Sequence, residues 1–182
     1  MQVLVGYASA HGSTAEIAHK IGDVLQDHGC SVTVASVETI QSVSGYDCFV
    51  LGSAIHSSKL LPSMFAFIRR FKDDLALNPV YFWVTCIRVL EARGREHILQ
   101  HYIPYEVIPG MFVQEVEIFA GKLHYEGIKP EEKWLLATGY DGTQSPQSLA
   151  ADYRDWDAIT AWAVSLANRI NQTKDTPQAT GD

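Results

Sequence analysis

Short apolar strands alternate with amphipathic helices along most of the chain, and this alternation limits the folds that are open to it. A first strand is predicted at Val3 to Tyr7, and apolar residues at helical spacing follow over Ser13 to His28, where Gly29 is expected to end the helix. The segment Tyr46 to Leu51 is almost wholly apolar, which is typical of a strand covered on both faces. Strands joined by helices in this way predict a parallel sheet with right-handed crossovers.

The remaining elements follow the same pattern and complete one α/β domain. Three further strands are predicted at Ser31 to Val37, Val80 to Thr85 and Val113 to Ala120. Three further helices are predicted at Leu60 to Phe71, Glu91 to Gln100 and Asp155 to Ile170, the last with Trp156, Ile159, Ala163, Leu166 and Ile170 facing inward. Five such strands suit a parallel sheet of order 2-1-3-4-5. The domain is expected over residues 1–170, with a polar tail over 171–182.

Composition and charge exclude several classes of protein. The chain has 182 residues, of which 47% are hydrophobic, and its net charge is -7 without any long block of basic residues. A core can form, and nucleic acid is not an expected partner. The amino terminus has neither a basic start nor a long apolar stretch, so a cytoplasmic location is expected.

The cysteines and histidines do not form a metal site in the sequence. Cys30, Cys48 and Cys86 stand far apart and are odd in number, which favours free buried thiols over a disulfide framework or a zinc site. His97 and His101 have the helical spacing of a chelating pair, but no third ligand stands beside them. We expect a solvated helix face there and no metal.

The loop after the first strand carries the chemistry. It reads Ser9-Ala10-His11-Gly12-Ser13-Thr14, with three hydroxyls, a glycine and several backbone N–H groups that lead directly into a helix. Such a loop offers neutral donors and the positive end of a helix to a phosphate group. It lies where strand order is expected to reverse, which is where open parallel sheets bind ligands.

Most other interpretations of this loop require residues that it does not contain. Ser13 or Thr14 acting merely as a helix N-cap is a simple alternative that the loop alone leaves open. The loop has no Gly-Lys-Ser/Thr ending for a P-loop and no Gly-x-Gly-x-x-Gly for a dinucleotide. A phosphate-accepting receiver domain would need acidic residues after the first strand, and none is there.

The run from Val3 to Ala18 resembles the flavodoxin signature, with His11 at the position where that signature usually has threonine. The resemblance implies a flavodoxin-like three-layer sandwich with FMN as cofactor. Within that superfamily the sequence is most similar to the flavodoxin-type, menaquinone-dependent protoporphyrinogen oxidases. That likeness rests on three short patches: Gly52-Ser53-Ala54-Ile55, Phe119-Ala120-Gly121-Lys122-Leu123 and Asp155-Trp156.

The resemblance also implies which residues hold the cofactor. The phosphate would be held by the loop after the first strand, which comprises Ser9, Ala10, His11, Gly12, Ser13 and Thr14. One side of the isoalloxazine ring would be lined by Ser53, Ala54, Ile55 and His56, and the other side by Thr85, Cys86 and Ile87. No catalytic acid or base is assigned.

Three functions remain open at this point. The first is an FMN-dependent oxidoreductase that oxidises a reduced organic substrate such as protoporphyrinogen with a quinone acceptor. The second is a flavodoxin-type electron carrier that docks on redox partner proteins through its acidic surface. The third is an interaction module without flavin.

Three features of the sequence bear on that choice. Trp83 is expected in the core rather than on the flavin, which leaves Ile55 and His56 beside an open ring face. Arg88, Arg93 and Arg95 follow the fourth strand, where we expect ordinary surface pairs rather than contacts to a carboxylated substrate. The stretch His124 to Tyr153 is too long to be an idle connector. It is acidic here but basic in the oxidase family, which argues against a membrane partner; its acids are Glu126, Glu131, Glu132, Asp141 and Asp152.

Overall fold

The computed structural model describes residues 1–104, 111, 113–122 and 151–172. The strands are β1 (Gln2–Ala8), β2 (Ser31–Ser36), β3 (Cys48–His56), β4 (Lys59–Leu60), β5 (Val80–Thr85) and β6 (Val113–Phe119). The helices are α1 (Ser13–Asp27), α2 (Pro62–Arg70), α3 (Lys72–Leu77), α4 (Gly94–His101) and α5 (Trp156–Gln172), with a short 3-10 helix at Ile87–Leu90. The stretch 123–150 and the end of the tail, 173–182, lie outside the described residues.

Five strands form a parallel sheet in the order β2-β1-β3-β5-β6. This confirms the predicted order 2-1-3-4-5, because the fourth and fifth predicted strands are β5 and β6. The register aligns Ser53 with Ala8 on one side and with Val84 on the other. The carboxyl ends of β1, β3 and β5 therefore meet at one edge of the sheet.

Two hydrophobic clusters cover the two faces of the sheet. Alternate residues of one strand go to opposite faces, so that Leu51 joins one cluster and Val50 the other. The first cluster includes Met64 and Ile68 of α2, and the second includes residues of α1 and α5. All six residues of β5 are buried, as expected of a strand between two layers of helices. No helix among the described residues is long and apolar enough to cross a membrane.

Strand β3 is longer than predicted. It was expected to end at Leu51 but continues to His56, where Ile55 pairs with Leu60 and His56 with Lys59 in an antiparallel hairpin. Ser57 and Ser58 form the two-residue turn and both have positive φ, 49° and 63°, as the tightest hairpin turns require. The predicted helix at Leu60 to Phe71 is accordingly wrong at its start, because Leu60 belongs to the hairpin and α2 begins at Pro62.

Two other expectations need correction. The predicted helix at Glu91 to Gln100 begins only at Gly94, after the short 3-10 helix. Trp156 was expected to face inward, but it is 37% exposed at the first turn of α5. The guanidinium of Arg154 lies 4.5 Å from the centre of its ring, which places the indole at the surface as a cation–π partner. The other four inward positions of α5 are buried as predicted.

The close packing of Gly52 against Trp83 gives a prediction about stability. A Cβ atom at Gly52 would lie 2.0 Å from Cε2 of the buried Trp83 side chain. We expect Gly52→Ala to lower the free energy of unfolding by about 1–3 kcal/mol or more, because the indole has no room to move. Gly121→Ala is the control, since its Cβ would meet Ser13 Oγ at an ordinary 3.5 Å. Urea denaturation measures both, and equal stability of the two variants would contradict this packing.

Candidate functional site

The loop between β1 and α1 is shaped by one glycine. Gly12 has φ +88° and begins α1 as its N-cap, in the left-handed region that glycine adopts without steric cost. Its N–H donates to Ser9 Oγ at 3.0 Å, and its carbonyl accepts from the N–H of Glu16 at 3.0 Å. The loop thus turns sharply from the sheet edge into the helix.

The amino terminus of α1 has no side-chain cap among the described residues. Ser13 and Thr14 are the first two residues of the helix rather than its cap, so the simple N-cap alternative for them is wrong. The N–H groups of a first helical turn have no partner within the helix and carry the positive end of its dipole. The loop therefore presents donors suited to an anion.

Thr14 connects this loop to the end of β5. Its side chain is buried, and its Oγ1 lies 2.7 Å from Oγ1 of the buried Thr85. Two hydroxyls that share one hydrogen bond still hold a second proton. The pair therefore ties the first turn of α1 to the end of β5, and one of its two hydroxyls still has an O–H to donate.

The Thr14 and Thr85 pair gives a second prediction. Thr14→Val or Thr85→Val alone leaves one buried hydroxyl without its partner, which costs about 1–3 kcal/mol of stability. Replacing both should cost less than the two single changes added together, because no orphaned hydroxyl remains. Denaturant unfolding of the three variants measures this coupling. Strictly additive losses would mean that the two hydroxyls do not interact.

The segment directly after β6 reaches the same part of the sheet edge. A Cβ built on Gly121 would lie 3.5 Å from Ser13 Oγ and 3.8 Å from Thr85 Cβ. Gly121 was not among the predicted site residues, although it stands in one of the patches that carry the oxidase resemblance. The segments at the ends of β5 and β6 thus lie close to Ser13 in the loop after β1.

The predicted residues at the end of β3 lie beside the loop after β1, and they differ from one another in solvent exposure. Ser53 is fully buried; its hydroxyl donates to the carbonyl of Ala54 at 2.9 Å and accepts from the N–H of Leu61 at 3.1 Å. Ala54, Ile55 and His56 are half-buried. The imidazole rings of His56 and the exposed His11 lie 6.3 Å apart, centre to centre. The end of β3 therefore adjoins the loop after β1.

The predicted residues at the end of β5 are held in place by neighbouring backbone. The N–H of Cys86 donates to the carbonyl of Phe119 at 2.9 Å, and the half-buried Ile87 begins the 3-10 helix. Burial raises the pKa of the Cys86 thiol, so the thiol is neutral at physiological pH and not a nucleophile. The structure thus brings all three predicted groups, 9–14, 53–56 and 85–87, to one edge of the sheet.

The other candidate residues have structural partners. Arg88 pairs with Glu91 at 3.4 Å, Arg93 with Glu96 at 2.9 Å, and Arg95 with Glu117, as the expectation of surface pairs had it. Trp83 is fully buried and packs on Phe119 with ring centres 6.1 Å apart. This confirms its place in the core.

The prediction of free, buried cysteines is confirmed. The three cysteines are free and buried, and burial raises the pKa of Cys48 to about 12. The rings of His97 and His101 are in contact, with centres 4.6 Å apart and planes tilted by 54°. Among the described residues no group of three potential metal ligands occurs.

Comparison with known proteins agrees with this geometry. The family model of the flavodoxin domain matches residues 4–149, and the chain therefore belongs to the flavodoxin domain family. Comparison with the curated proteins finds no match.

Solved structures share the architecture at low sequence identity. A flavodoxin from the domain Archaea is 14% identical with a TM-score of 0.58, over 94% of this chain and 99% of that one. Flavodoxin 2 from Bacillus cereus is 18% identical with a TM-score of 0.55, over 93% and 99%. Rubredoxin oxygen:oxidoreductase from Desulfovibrio gigas is 13% identical with a TM-score of 0.51, over 96% of this chain but 37% of that one. At these identities the likeness establishes the fold.

Membership of the family implies FMN as the cofactor, and the residues at the carboxyl edge of the sheet fit that group. The left-handed Gly12 and the uncapped start of α1 form a cradle for a phosphate. The loop is rich in hydroxyls and contains no lysine or arginine, which suits a mononucleotide phosphate held by neutral donors. No specific protoporphyrinogen oxidase is among the comparisons described above.

Proposed function

We propose that this chain is a flavodoxin-type redox protein, which binds FMN at the carboxyl edge of its sheet and exchanges electrons with a redox partner. The observation that carries the proposal is the uncapped, left-handed start of α1 at Gly12, placed beside the ends of β5 and β6. FMN, when bound, supplies one- and two-electron transfer. The task of the protein is to hold and orient it.

In this proposal the phosphate lies in the loop from Ser9 to Thr14. The hydroxyls of Ser9, Ser13 and Thr14 and the N–H groups of the first turn of α1 donate to its oxygens. The isoalloxazine ring lies between residues 53–56 and 85–87. Ser53 within β3 and Thr85 at the end of β5 are buried and would limit how deeply the ring enters.

The partner we propose is a redox protein that meets an acidic surface. The net charge of -7 favours encounter with a basic partner through long-range attraction. The free, buried thiols suit the reducing conditions of the cytoplasm. Nucleic acid and membranes are not part of the proposal.

Substitution of Gly12 tests the proposal against a matched control. Gly12 and Gly45 both have positive φ, +88° and +86°, and a Cβ at either would meet nothing within 4 Å. Alanine at either position should cost about 1–2 kcal/mol of stability, because both residues must stay left-handed. Only Gly12→Ala should weaken FMN binding, by about 10-fold, since only that loop receives the phosphate.

Quenching of FMN fluorescence and the visible spectrum of the bound flavin measure the affinity. Equal FMN affinity of the Gly12→Ala and Gly45→Ala variants would contradict the assigned phosphate site. A wild-type chain that binds neither FMN nor riboflavin would contradict the redox function altogether and leave the interaction module.

A second candidate is the oxidation of a flat organic substrate such as protoporphyrinogen, with a quinone as acceptor. It is favoured by the absence of Phe, Tyr and Trp from residues 53–61 and 85–90, which leaves the ring faces without an aromatic cover from these segments. Steady turnover of protoporphyrinogen with a quinone by the FMN-loaded protein would select this candidate. Rapid exchange with a protein reductase, without such turnover, would select the carrier.

A further inference from the structure

Arg154 makes an unusually complete set of contacts for an arginine outside the predicted site. Its side chain is 4% exposed, whereas those of its partners Glu16 and Asp152 are 58% and 38% exposed. Nη1 donates to Glu16 Oε2 at 2.6 Å, while Nε and Nη2 donate to the two carboxylate oxygens of Asp152 at 2.8 and 2.6 Å. The hydrogen bond from Arg154 holds the pKa of Asp152 at about 2. The guanidinium also stacks on Trp156.

This cation lies next to the proposed phosphate loop. Glu16 stands in the first turn of α1, and its N–H bonds to the carbonyl of Gly12. From the other side, the N–H of Tyr153 donates to the carbonyl of Gly121 at 3.2 Å, and Gly121 adjoins Ser13. Arg154 therefore contacts the first turn of α1 through Glu16. Its neighbour Tyr153 contacts Gly121, which adjoins Ser13 at the same helix end.

Arg154 offsets an electrostatic conflict between the carboxylate of Glu16 and a phosphate bound at the same helix end. A carboxylate in the first turn of a helix interacts favourably with the dipole, but it repels a phosphate bound at the same helix end. Two carboxylates beside the helix start, those of Glu16 and Asp152, both accept hydrogen bonds from Arg154. Without Arg154, the carboxylate of Glu16 in the first turn of α1 would lose this cationic partner.

We propose that Arg154 is a positioning residue for FMN, which cancels the charge of Glu16 and so prepares the helix end for the phosphate group. The inference rests on the proposed function, since it presupposes that FMN binds there. Arg154 acts through Glu16 and the loop; it is not assigned as a contact to the cofactor.

The test compares FMN with riboflavin, which has the same ring system but no phosphate. Arg154→Gln should raise the Kd for FMN by about 3- to 10-fold, in the range of helix-end charge effects. The Kd for riboflavin should change by less than about 2-fold, because no phosphate meets the uncovered carboxylate. The loss for FMN should shrink in about 1 M salt, where screening acts within about 3 Å.

Glu16 supplies the decisive second change. In an Arg154→Gln, Glu16→Gln double variant the Kd for FMN should return to within about 2-fold of the wild-type value, because the carboxylate in the first turn of α1 is gone. Arg154→Lys keeps the positive charge and disturbs the packing less. Its Kd for FMN should therefore also stay near the wild-type value. Arg93→Gln is the matched control; this arginine also pairs with a glutamate, and its side chain is 82% exposed.

The outcomes separate the inference from the proposed function. Equal losses for FMN and riboflavin, or a double variant as weak as Arg154→Gln alone, would overturn the inference, since Arg154 would then be structural or act without Glu16. Unchanged FMN affinity in Arg154→Gln would overturn it too, with the proposed function intact. A wild-type chain that binds neither flavin would overturn both.

Discussion

Strand β5 is buried along its whole length and β3 from Cys48 to Ser53, and β1 lies directly beside β3. Helices must therefore cover the sheet from both sides, and each strand must be followed by a crossover that returns to the same end of the sheet. This forces the carboxyl ends of β1, β3 and β5 to one edge. The chain leaves β1 and β3 towards opposite faces of the sheet, to α1 and α2. This opens a crevice between the ends of the two strands, and the polar residues collect there.

What makes that edge a site is a small set of fixed conformations. Gly12 turns the chain left-handed before α1, the hydroxyls of Thr14 and Thr85 link the first turn of α1 to the end of β5, and Gly121 leaves room beside Ser13. The threonine pair is supported by packing, because both residues are buried. A phosphate would meet donors that are already in position, which lowers the entropic cost of binding.

Local features of the fold could be predicted from the sequence, because periodicity and glycine report on the chain next to them. Gly29 ends α1 with φ +84°, the extent of β5 is the predicted one, and the strand order follows from alternation. The extension of β3 was missed because residues 53–56 alternate without a long apolar run. Trp156 was misplaced because helical spacing does not reveal that Arg154 holds its ring at the surface.

The contacts that tie the site together could not be predicted in the same way. Thr14 and Thr85 are 71 positions apart, and Arg154 and Glu16 are 138 positions apart. A single sequence contains no local pattern that announces such pairs. Arg154 stands among polar residues, and no pattern in the neighbouring sequence indicates that its side chain is buried. The loop after β1 indicates the site from the sequence alone. The contacts that support this loop are visible only in the folded structure.

The central claim is that a phosphate binds at the start of α1. The backbone amide chemical shifts of the uniformly ¹⁵N-labelled protein test it most directly, when they are recorded during titration with FMN and, separately, with riboflavin. Our account predicts large shifts of the Gly12, Ser13 and Thr14 amides with FMN and small ones with riboflavin, because only FMN brings the anion to these donors. Binding of FMN without shifts at these amides, or with the same shifts that riboflavin produces, would contradict it.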